Sequence, residues 1–226
     1  MKSVGIYDML DRLKQSIIND EKEGTTEMND KFFDLKREKQ DRMINGGLKI
    51  FAKYGYRHAT TDEIVREAAI SKGLLFHYFG NKVGMYVFLM DYSVRFLLLE
   101  MSRRVDKEET DFFVLARQLE EATLGVLKNY PYMQAFLEKA FEEICLEALE
   151  ECEEPKQAYL GKVEQYYGQA KEASLKEGVS LSRVKEMFKY LKKGILMENL
   201  ALDTMQPEMM HTQICTYLNM LEGLCK

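Results

Sequence analysis

The amino-acid sequence predicts an all-α fold on three observations. Only 3 prolines and 14 glycines interrupt 226 residues rich in Leu, Glu, Lys, Met and Ala, which are good helix formers. Apolar residues recur at the spacing of amphipathic helices, and no segment alternates in the manner typical of a strand. Residues that cap or break helices fall at the ends of these periodic segments. With 46% hydrophobic and 31% charged residues, the composition indicates a soluble globular chain of one or two domains.

The composition argues against several classes of protein. No stretch approaches the ~18 consecutive apolar residues of a membrane span, and the first residues lack the apolar core of a signal peptide. We therefore expect a cytoplasmic protein with no membrane partner. The 4 cysteines have no CxxC spacing and the 3 histidines lie far apart, so we expect reduced thiols and neither a metal site nor a cofactor. No enzyme signature occurs, and no enzymatic activity is expected.

The first 35 residues are expected to form an amino-terminal extension. Residues 4–18 place apolar side chains at helical spacing, which predicts a short amphipathic helix. A polar, charged linker follows over residues 19–30. We interpret this segment as an accessory to the domains that follow it.

A longer helix is predicted from Lys31 to about Tyr54, where Gly55 stops it. Gly46 and Gly47 lie inside this helix, although each costs up to ~1 kcal/mol there relative to alanine. Such a cost usually reflects the close approach of another helix. The two glycines therefore predict that a second helix packs against the first.

Two short helices joined by a tight turn are predicted next. Thr60 and Glu63 fit a capping box, so a helix of about two turns should begin there and end near Ala68. Ser71 can cap the following helix, over residues 72–79. This is the spacing of a helix-turn-helix motif.

Longer helices are predicted through the rest of the chain. Residues 82–104 form an apolar-rich segment that could join two domains. Pro131, Pro155, Gly178 and Pro207 mark boundaries between further helices. We expect these helices at about 111–129, 131–151, 156–177, 182–203 and 207–225.

The charge of the chain is unevenly distributed. A net charge of -5 argues against a nucleic-acid-binding protein until it is divided by segment. Residues 36–82 carry 10 basic and 5 acidic side chains, whereas residues 1–35 have a net charge of -3 and residues 83–226 one of -7. We therefore predict an extension (1–35), a basic helix-turn-helix domain (36–82) and a helical carboxyl-terminal domain (83–226).

The basic segment resembles a known family. The resemblance is carried by an ordered set of residues, namely 43–56 (MINGGLKIFAKYGY), Thr60, Thr61, Ile64 and 71–82 (SKGLLFHYFGNK). These residues resemble the amino-terminal domain of the TetR family of bacterial transcriptional regulators. The resemblance is specific over about residues 36–90. It implies a three-helix DNA-binding domain, followed by a helical domain that binds a small effector and forms a dimer.

The family resemblance implies that the third helix enters the major groove of double-stranded operator DNA. Lys72 can reach a phosphate or a guanine edge, Gly73 lets the backbone come close, and Tyr78 can donate its hydroxyl to a phosphate. Leu74 offers only an apolar contact, such as one with a thymine methyl group. The predicted DNA-binding residues are Thr60, Thr61, Ser71, Lys72, Gly73, Leu74, His77, Tyr78 and Lys82.

Four residues depart from the family pattern. Leu74 replaces a frequent threonine, and Phe76 replaces a frequent tyrosine. Ala69 stands where the turn usually has a glycine, and Val65 where alanine is usual. Because Phe76 has no hydroxyl to donate, individual DNA contacts and the operator sequence cannot be carried over from the family.

The last two predicted helices each carry a broad apolar stripe. Two such stripes exceed what one domain of this size can bury in its own core, so we expect a homodimer in which they meet. The family resemblance implies the same arrangement. The predicted interface residues are Phe188, Leu191, Ile195, Leu202, Ile214, Tyr217, Leu218 and Leu221.

Aromatic and thioether side chains in the middle of this domain are suited to an apolar or planar effector. The candidate pocket residues are Phe96, Met101, Phe112, Phe113, Tyr132, Met133, Phe136, Tyr166 and Tyr167. The acidic excess, through Glu100, Glu120, Glu138 or Glu142, is compatible with a cationic effector, and a solvated acidic face explains it equally well. The helix over residues 82–104 is the predicted lever between pocket and DNA.

Two hypotheses for function follow. The first is a ligand-responsive, homodimeric regulator, in the family most often a repressor, that a small-molecule effector releases from a palindromic operator. The alternative is a helical interaction or accessory protein with a degenerate DNA-binding domain. The basic segment favours the first, because a degenerate domain has no need to retain Lys72, Tyr78 and Lys82.

Overall fold

The computed structural model describes residues 32–172 and 175–226, and this part of the chain contains helices but no strand. The all-α prediction is confirmed. The helix and linker expected over residues 4–30 lie outside the described residues. The helices of the described part are α1 (Arg37–His58), α2 (Thr61–Glu67), α3 (Lys72–Phe79), α4 (Lys82–Arg104), α5 (Phe112–Leu127), α6 (Met133–Phe141), α7 (Leu146–Gly168), α8 (Leu181–Ala201) and α9 (Pro207–Cys225).

The first three helices form a unit, and the sequence predicted the residues that cap its helices. The Thr60 hydroxyl accepts from the Glu63 amide at 3.2 Å, and the Glu63 carboxylate accepts from the Thr60 amide at 3.0 Å. This is the predicted capping box. Ser71 caps α3 by accepting from the Leu74 amide at 3.2 Å. The buried core of the unit includes Ile44, Phe51, Ile64, Leu75 and Phe79.

Two adjacent glycines let α1 approach two other helices. A Cβ at Gly46 would lie 2.8 Å from the Ala68 Cβ, just after α2. A Cβ at Gly47 would lie 2.6 Å from both Leu89 Cδ1 and Met85 Cε on α4. The predicted close approach is confirmed, and α1 is held between α2 and α4.

The start of α1 differs from the prediction. The helix begins at Arg37 and not at Lys31, because the chain turns ahead of it. The buried Gln40 side chain fixes this turn by donating to the carbonyls of Phe33 at 2.9 Å and Leu35 at 2.8 Å. Helical periodicity alone does not reveal a turn held by one side chain.

Positive φ angles occur at Gly55, Ala69 and Gly80, in or at the end of this unit. Gly55, with a φ of 70°, interrupts α1 as predicted, although a final turn continues to His58. Ala69, with a φ of 51°, occupies the turn between α2 and α3. Because left-handed backbone costs a residue with a Cβ roughly 1–2 kcal/mol, the alanine in this turn is strained.

The break between α6 and α7 contradicts the predicted helices at 131–151 and 156–177. The Glu143 carboxylate accepts from the amides of Ile144 at 3.0 Å and Cys145 at 3.1 Å, and also from the Tyr56 amide of α1 at 3.1 Å. Pro155, expected at a boundary, lies inside α7. It removes one backbone donor there without ending the helix. The break therefore depends on a tertiary contact.

The central helix α4 packs against α1 and α3 at its start and against α5 and α7 along its length. Helices α8 and α9 pack against each other, and α9 also packs against α5. Since α4 continues across residues 82 and 83, the predicted domain boundary there stays a prediction. Among the described helices, none is long and apolar enough to cross a membrane. All four cysteines are free thiols.

Helix α6 runs beside α1 and is fastened to it at both ends. At one end Tyr130, just before α6, accepts from the Arg37 guanidinium and donates to Asp41 at 2.9 Å. The Tyr92 hydroxyl of α4 lies 2.9 Å from that of Tyr130, and burial raises the pKa of Tyr92 to about 12. At the other end, the Glu143 carboxylate just after α6 accepts from the Tyr56 amide at 3.1 Å, and the Tyr56 hydroxyl donates to the Glu147 carboxylate of α7 at 2.6 Å.

The close packing of α1 is open to a stability test. Gly46→Ala should lower the free energy of unfolding by about 1–3 kcal/mol, because the added methyl group meets the backbone of Ala68 and α2 must shift. Gly161→Ala is the matched control, since its Cβ would meet open space within α7; it should stabilise by about 0.5–1 kcal/mol. Urea unfolding followed by circular dichroism measures both, and equal stability of the two variants would contradict this account.

Candidate functional site

The amino-terminal turn of α3 is open to solvent. Ser71, Lys72, Gly73 and His77 are exposed, whereas Leu75 on the opposite face is buried. A Cβ added at Gly73 would have no neighbour within 4 Å. The amides at the start of a helix attract anions, and here no side chain blocks the backbone. This surface can accept a phosphate, or the edge of a base pair, at close range.

Lys72 is the one predicted cation at the start of α3, and it has an acidic partner. Its Nζ lies 2.9 Å from Asp62 Oδ1, and the Asp62 side chain is 75% exposed. Exposed ion pairs of this kind contribute about 0–1 kcal/mol. A phosphate could therefore take the place of Asp62 at little cost.

The other predicted DNA-binding residues have roles in the fold. The Thr60 hydroxyl is engaged in its capping box, and Thr61 is the first residue of α2. Leu74 and Tyr78 are half-buried against the core. The Tyr78 ring meets His77 edge-on, with 4.8 Å between the centroids. These contacts orient the exposed face of α3, and contact of any of these residues with DNA stays a prediction.

Lys82 is turned toward the protein, contrary to its predicted use as a phosphate contact. Its Nζ donates to the carbonyls of Tyr56 at 2.8 Å and Ala59 at 3.2 Å, and it lies 4.3 Å from the centroid of the Tyr56 ring. These carbonyls belong to the last turn of α1 and the residue after it, where helices lack backbone donors. Lys82 thus closes the end of α1.

Arg66 adds a cation that sequence reasoning did not single out. It is exposed in the last turn of α2, four residues after Asp62. Residues four apart in a helix lie on the same face. This spacing from Asp62 was the available signal, and it places Arg66 on the side of α2 that carries the partner of Lys72.

A cavity of about 970 Å³ lies among α5, α6, α7, α8 and α9. This volume is within the range of small-molecule sites. Of the nine predicted pocket residues, Phe112 and Tyr167 are on its wall. The wall also contains the rings of Phe141, Tyr159 and Phe188. It contains three of the four carboxylates that the sequence offered for a cationic effector, namely Glu120, Glu138 and Glu142.

The remaining predicted pocket residues lie elsewhere. Tyr132 donates its hydroxyl to Asp203 at 2.6 Å, outside the cavity. Six others are buried away from the wall, because an apolar helix face can meet neighbouring side chains as readily as a void. These six are Phe96, Met101, Phe113, Met133, Phe136 and Tyr166. Among the described residues, α4 supplies none of the wall of this cavity, and its predicted part as the lever stays a prediction.

An ion pair between a buried carboxylate of α5 and a half-buried lysine of α8 lies in the cavity wall. The Lys192 ammonium pairs with the Glu120 carboxylate. Burial alone would lower the pKa of Lys192, but the adjacent Glu120 and Tyr167 raise it above its ordinary value, so the amine stays charged. Burial also raises the pKa of Tyr167 to about 12, which keeps that hydroxyl neutral.

The last two helices have an apolar face on each side. Five of the eight predicted interface residues are buried within this chain, namely Phe188, Ile195, Ile214, Leu218 and Leu221, and their contact with a partner stays a prediction. Leu191 is half-buried, and Leu202 and Tyr217 are exposed. Because both faces are apolar, the sequence pattern did not reveal which one the core uses. The other exposed apolar side chains on α8 and α9 are Met187, Tyr190, Met209, Met220 and Leu224.

In this chain a three-helix unit, in which the second helix of a helix-turn-helix motif (α3) is exposed, is joined to further helices around a cavity. This combination is typical of helix-turn-helix regulatory proteins. The family model for bacterial regulatory proteins of the TetR family matches residues 43–87. Residues 43–87 therefore have the sequence of the amino-terminal region of the TetR family. This is a family of transcription regulators and not of enzymes.

The sequence likeness to curated relatives is confined to the same region. The chain is 36% identical over 56 residues to the uncharacterized HTH-type transcriptional regulator YuxN of Bacillus subtilis strain 168, over 25% of this chain and 19% of that protein. It is 40% identical over 48 residues to the HTH-type transcriptional regulator HbdR of Aromatoleum sp. strain CIB, over 21% of each chain. The matches thus span about a fifth of these relatives.

The likeness of fold extends further along the chain. A crystal structure of a TetR family transcriptional regulator from Chloroflexus aurantiacus J-10-FL superposes with a TM-score of 0.55 at 21% identity. The alignment covers 86% of this chain and 96% of that one. The carboxyl-terminal helices therefore share the fold of that structure.

The placement of Lys82 predicts an effect on stability. Lys82→Met keeps the length of the side chain but removes the donors to two carbonyls, so the free energy of unfolding should fall by about 1–3 kcal/mol. Lys72→Met, at an exposed position, should change it by less than about 0.5 kcal/mol. Thermal and urea unfolding measure both variants. A fully stable Lys82→Met protein would refute the structural role and restore Lys82 as a candidate phosphate contact.

Proposed function

We propose that this protein is a ligand-responsive transcriptional regulator that acts in the cytoplasm as a homodimer on a palindromic operator. The observation that carries the proposal is the open amino-terminal turn of α3, with Lys72 and Gly73 exposed on a capped, closely packed frame. The surrounding segment, residues 36–82, is the basic part of an otherwise acidic chain. Such a surface suits the major groove, where base edges and phosphates are both within reach.

In the proposed complex Lys72 exchanges its partner. The ammonium leaves Asp62 and binds a phosphate or a guanine edge, while the backbone at Gly73 approaches the DNA. Arg66, exposed on the neighbouring α2, adds positive charge beside it. Each phosphate neutralised releases condensed counterions, so affinity should fall steeply as salt rises.

The proposed homodimer uses the exposed faces of α8 and α9. On α9, Met209, Met220 and Leu224 fall at helical spacing on the side opposite its buried residues. On α8, Met187 and Tyr190 do the same. An apolar surface of this extent favours burial against a second copy. Two-fold symmetry would then place two α3 helices in successive major grooves, about 34 Å apart.

The proposed response to a ligand passes through α6. Gln134, Glu138 and Phe141 on this helix line the cavity. Its opposite face carries Phe136, whose ring centroid lies 6.2 Å from that of Phe51 on α1. A ligand that displaces α6 therefore acts directly on the DNA-binding unit. Weakening the operator complex ~100-fold would require about 2.7 kcal/mol of coupling, and release of DNA in this way would make the protein a repressor.

A binding assay tests the proposal as a whole. Fluorescence anisotropy with DNA from the region upstream of the gene should give a specific complex whose log Kd rises steeply and linearly with log salt. Unrelated DNA should bind at least about 1,000-fold more weakly. Equal affinity for both DNAs, or no binding at low salt, would refute the proposal in favour of a helical interaction protein with a degenerate DNA-binding domain.

The exchange of partners by Lys72 predicts opposite effects of two substitutions. Lys72→Ala should weaken operator binding by about 1–3 kcal/mol. Asp62→Asn should tighten it several-fold, because it frees Lys72 and removes a negative charge that faces the phosphates. The gain should shrink in the double variant, since it depends partly on Lys72. Glu67→Gln removes the same charge from the end of α2, where Glu67 pairs with Lys49, and serves as the control.

The proposed interface predicts a variant that is folded but monomeric. Met220 is 61% exposed, so Met220→Glu should leave the protomer folded while its charge, desolvated on association, opposes assembly. Sedimentation velocity should then report a monomer, and operator affinity should fall with it. Ile144→Glu, at an 81% exposed position in the α6–α7 connection, makes a similar apolar-to-acidic change and should stay dimeric. A dimeric Met220→Glu protein would place the interface elsewhere.

A further inference from the structure

Two of the lysines on the cavity wall are engaged with wall carboxylates. Lys192 pairs with Glu120, and Lys193 pairs with Glu142. The hydrogen bond from Lys193 lowers the pKa of Glu142, as expected of a formed ion pair. An anionic ligand would have to break one of these pairs to gain a cation. Neither pair leaves a net charge on the wall.

The other wall lysines are also unsuited to hold an anion inside the cavity. Lys156 donates to the carbonyl of Phe141 at 3.1 Å, and Lys185 donates to that of Tyr167 at 2.7 Å. Lys189 is exposed to solvent. The positive charge of the wall is therefore either engaged by the protein or hydrated at its edge.

Glu138 differs from these groups. It lies on α6, half-buried on the cavity wall, and within the described part of the chain it has no hydrogen bond or ion pair. Two further wall carboxylates contrast with it, since Glu164 is exposed and Glu186 accepts from the Tyr190 hydroxyl at 3.2 Å. The cation that acts on it electrostatically is Lys193, which is already paired with Glu142. One lysine beside two carboxylates leaves a net negative charge at this part of the cavity wall.

Aromatic rings lie beside this carboxylate. Phe141 follows Glu138 by one turn of α6, and its ring centroid lies 5.6 Å from that of Tyr159. The negative charge of Glu138 also acts on Tyr159, whose pKa is raised chiefly by burial. A carboxylate next to ring faces is the combination that binds organic ammonium groups, through charge pairing and cation–π attraction.

From this arrangement we infer that the cavity binds an organic monocation with an apolar body, held with its charge against Glu138 and beside Phe141 and Tyr159. The inference rests on the proposed function, in which this cavity is the effector site. The apolar body would lie toward Phe112 and Phe188, whose rings meet edge-on deeper along the wall at 6.0 Å between centroids. Since Glu138 is on α6, the charge of the ligand would act on the helix that packs against α1.

The test uses three probes that share an apolar phenylalkyl body and differ in the charge of the head group. They are 6-phenylhexyl-trimethylammonium (positive), 6-phenylhexanol (neutral) and 6-phenylhexanoate (negative). Isothermal titration calorimetry of the full-length protein should show the ammonium binding about tenfold or more tighter than the alcohol, and the carboxylate binding most weakly. Glu138→Gln should abolish the preference for the ammonium and leave binding of the alcohol unchanged. Glu164→Gln removes an exposed carboxylate from the same wall, and its affinities should stay within about twofold of the parent.

The outcomes separate this inference from the proposed function. Tightest binding of the carboxylate, or a preference for the ammonium that survives Glu138→Gln, would overturn the inference. Unchanged thermal midpoint and operator affinity of the free Glu138→Gln protein exclude a folding defect. If the ammonium binds through Glu138 but leaves operator affinity unchanged, the site stands and the proposed response fails. If the carboxylate alone releases the operator, the response stands and the cation site fails.

Discussion

The packing of α6 along α1 is the contact on which the rest of the molecule depends. Glu143 fastens one end of the pair through Tyr56, and Tyr130 fastens the other through Arg37 and Asp41. Between these ends the two helices share an aromatic core. The same α6 presents its other face to the cavity. One short helix therefore packs against the helix-turn-helix unit on one face and lines the proposed effector site on the other, so the proposed response needs no further element between them.

Several cations that look like surface charges in the sequence are parts of this framework. Arg37 holds Tyr130, Lys82 closes α1, and Lys192 spans the cavity wall. The electrostatic attraction for DNA is consequently carried by fewer side chains than the charge of residues 36–82 indicates. Those that remain exposed are Lys72 at the start of α3, Arg66 on α2, and Lys36, Arg42 and Arg57 on or beside α1. The electrostatic character of this surface therefore depends on which lysines and arginines are exposed, more than on the net charge of the segment.

The parts of the structure that the sequence predicted are those with local causes. The bounds of α3 and α4 and the caps at Thr60 and Ser71 follow from interactions within a few residues, and they were predicted correctly. The break after α6 was not, because Glu143 is held in place partly by Tyr56, 87 residues away in sequence. The wall of the cavity was mostly missed for a similar reason, since apolar periodicity does not distinguish a face against a void from one against a neighbour.

The glycine pair in α1 has a consequence for how the molecule can move. Gly46 meets the backbone of Ala68 just after α2, whereas Gly47 meets the side chains of Met85 and Leu89 on α4. Interiors packed this closely resist strain, and a backbone can give way less than the end of a flexible side chain. A displacement of α1 should therefore carry α2 with it, while the contact with α4 leaves more room for adjustment.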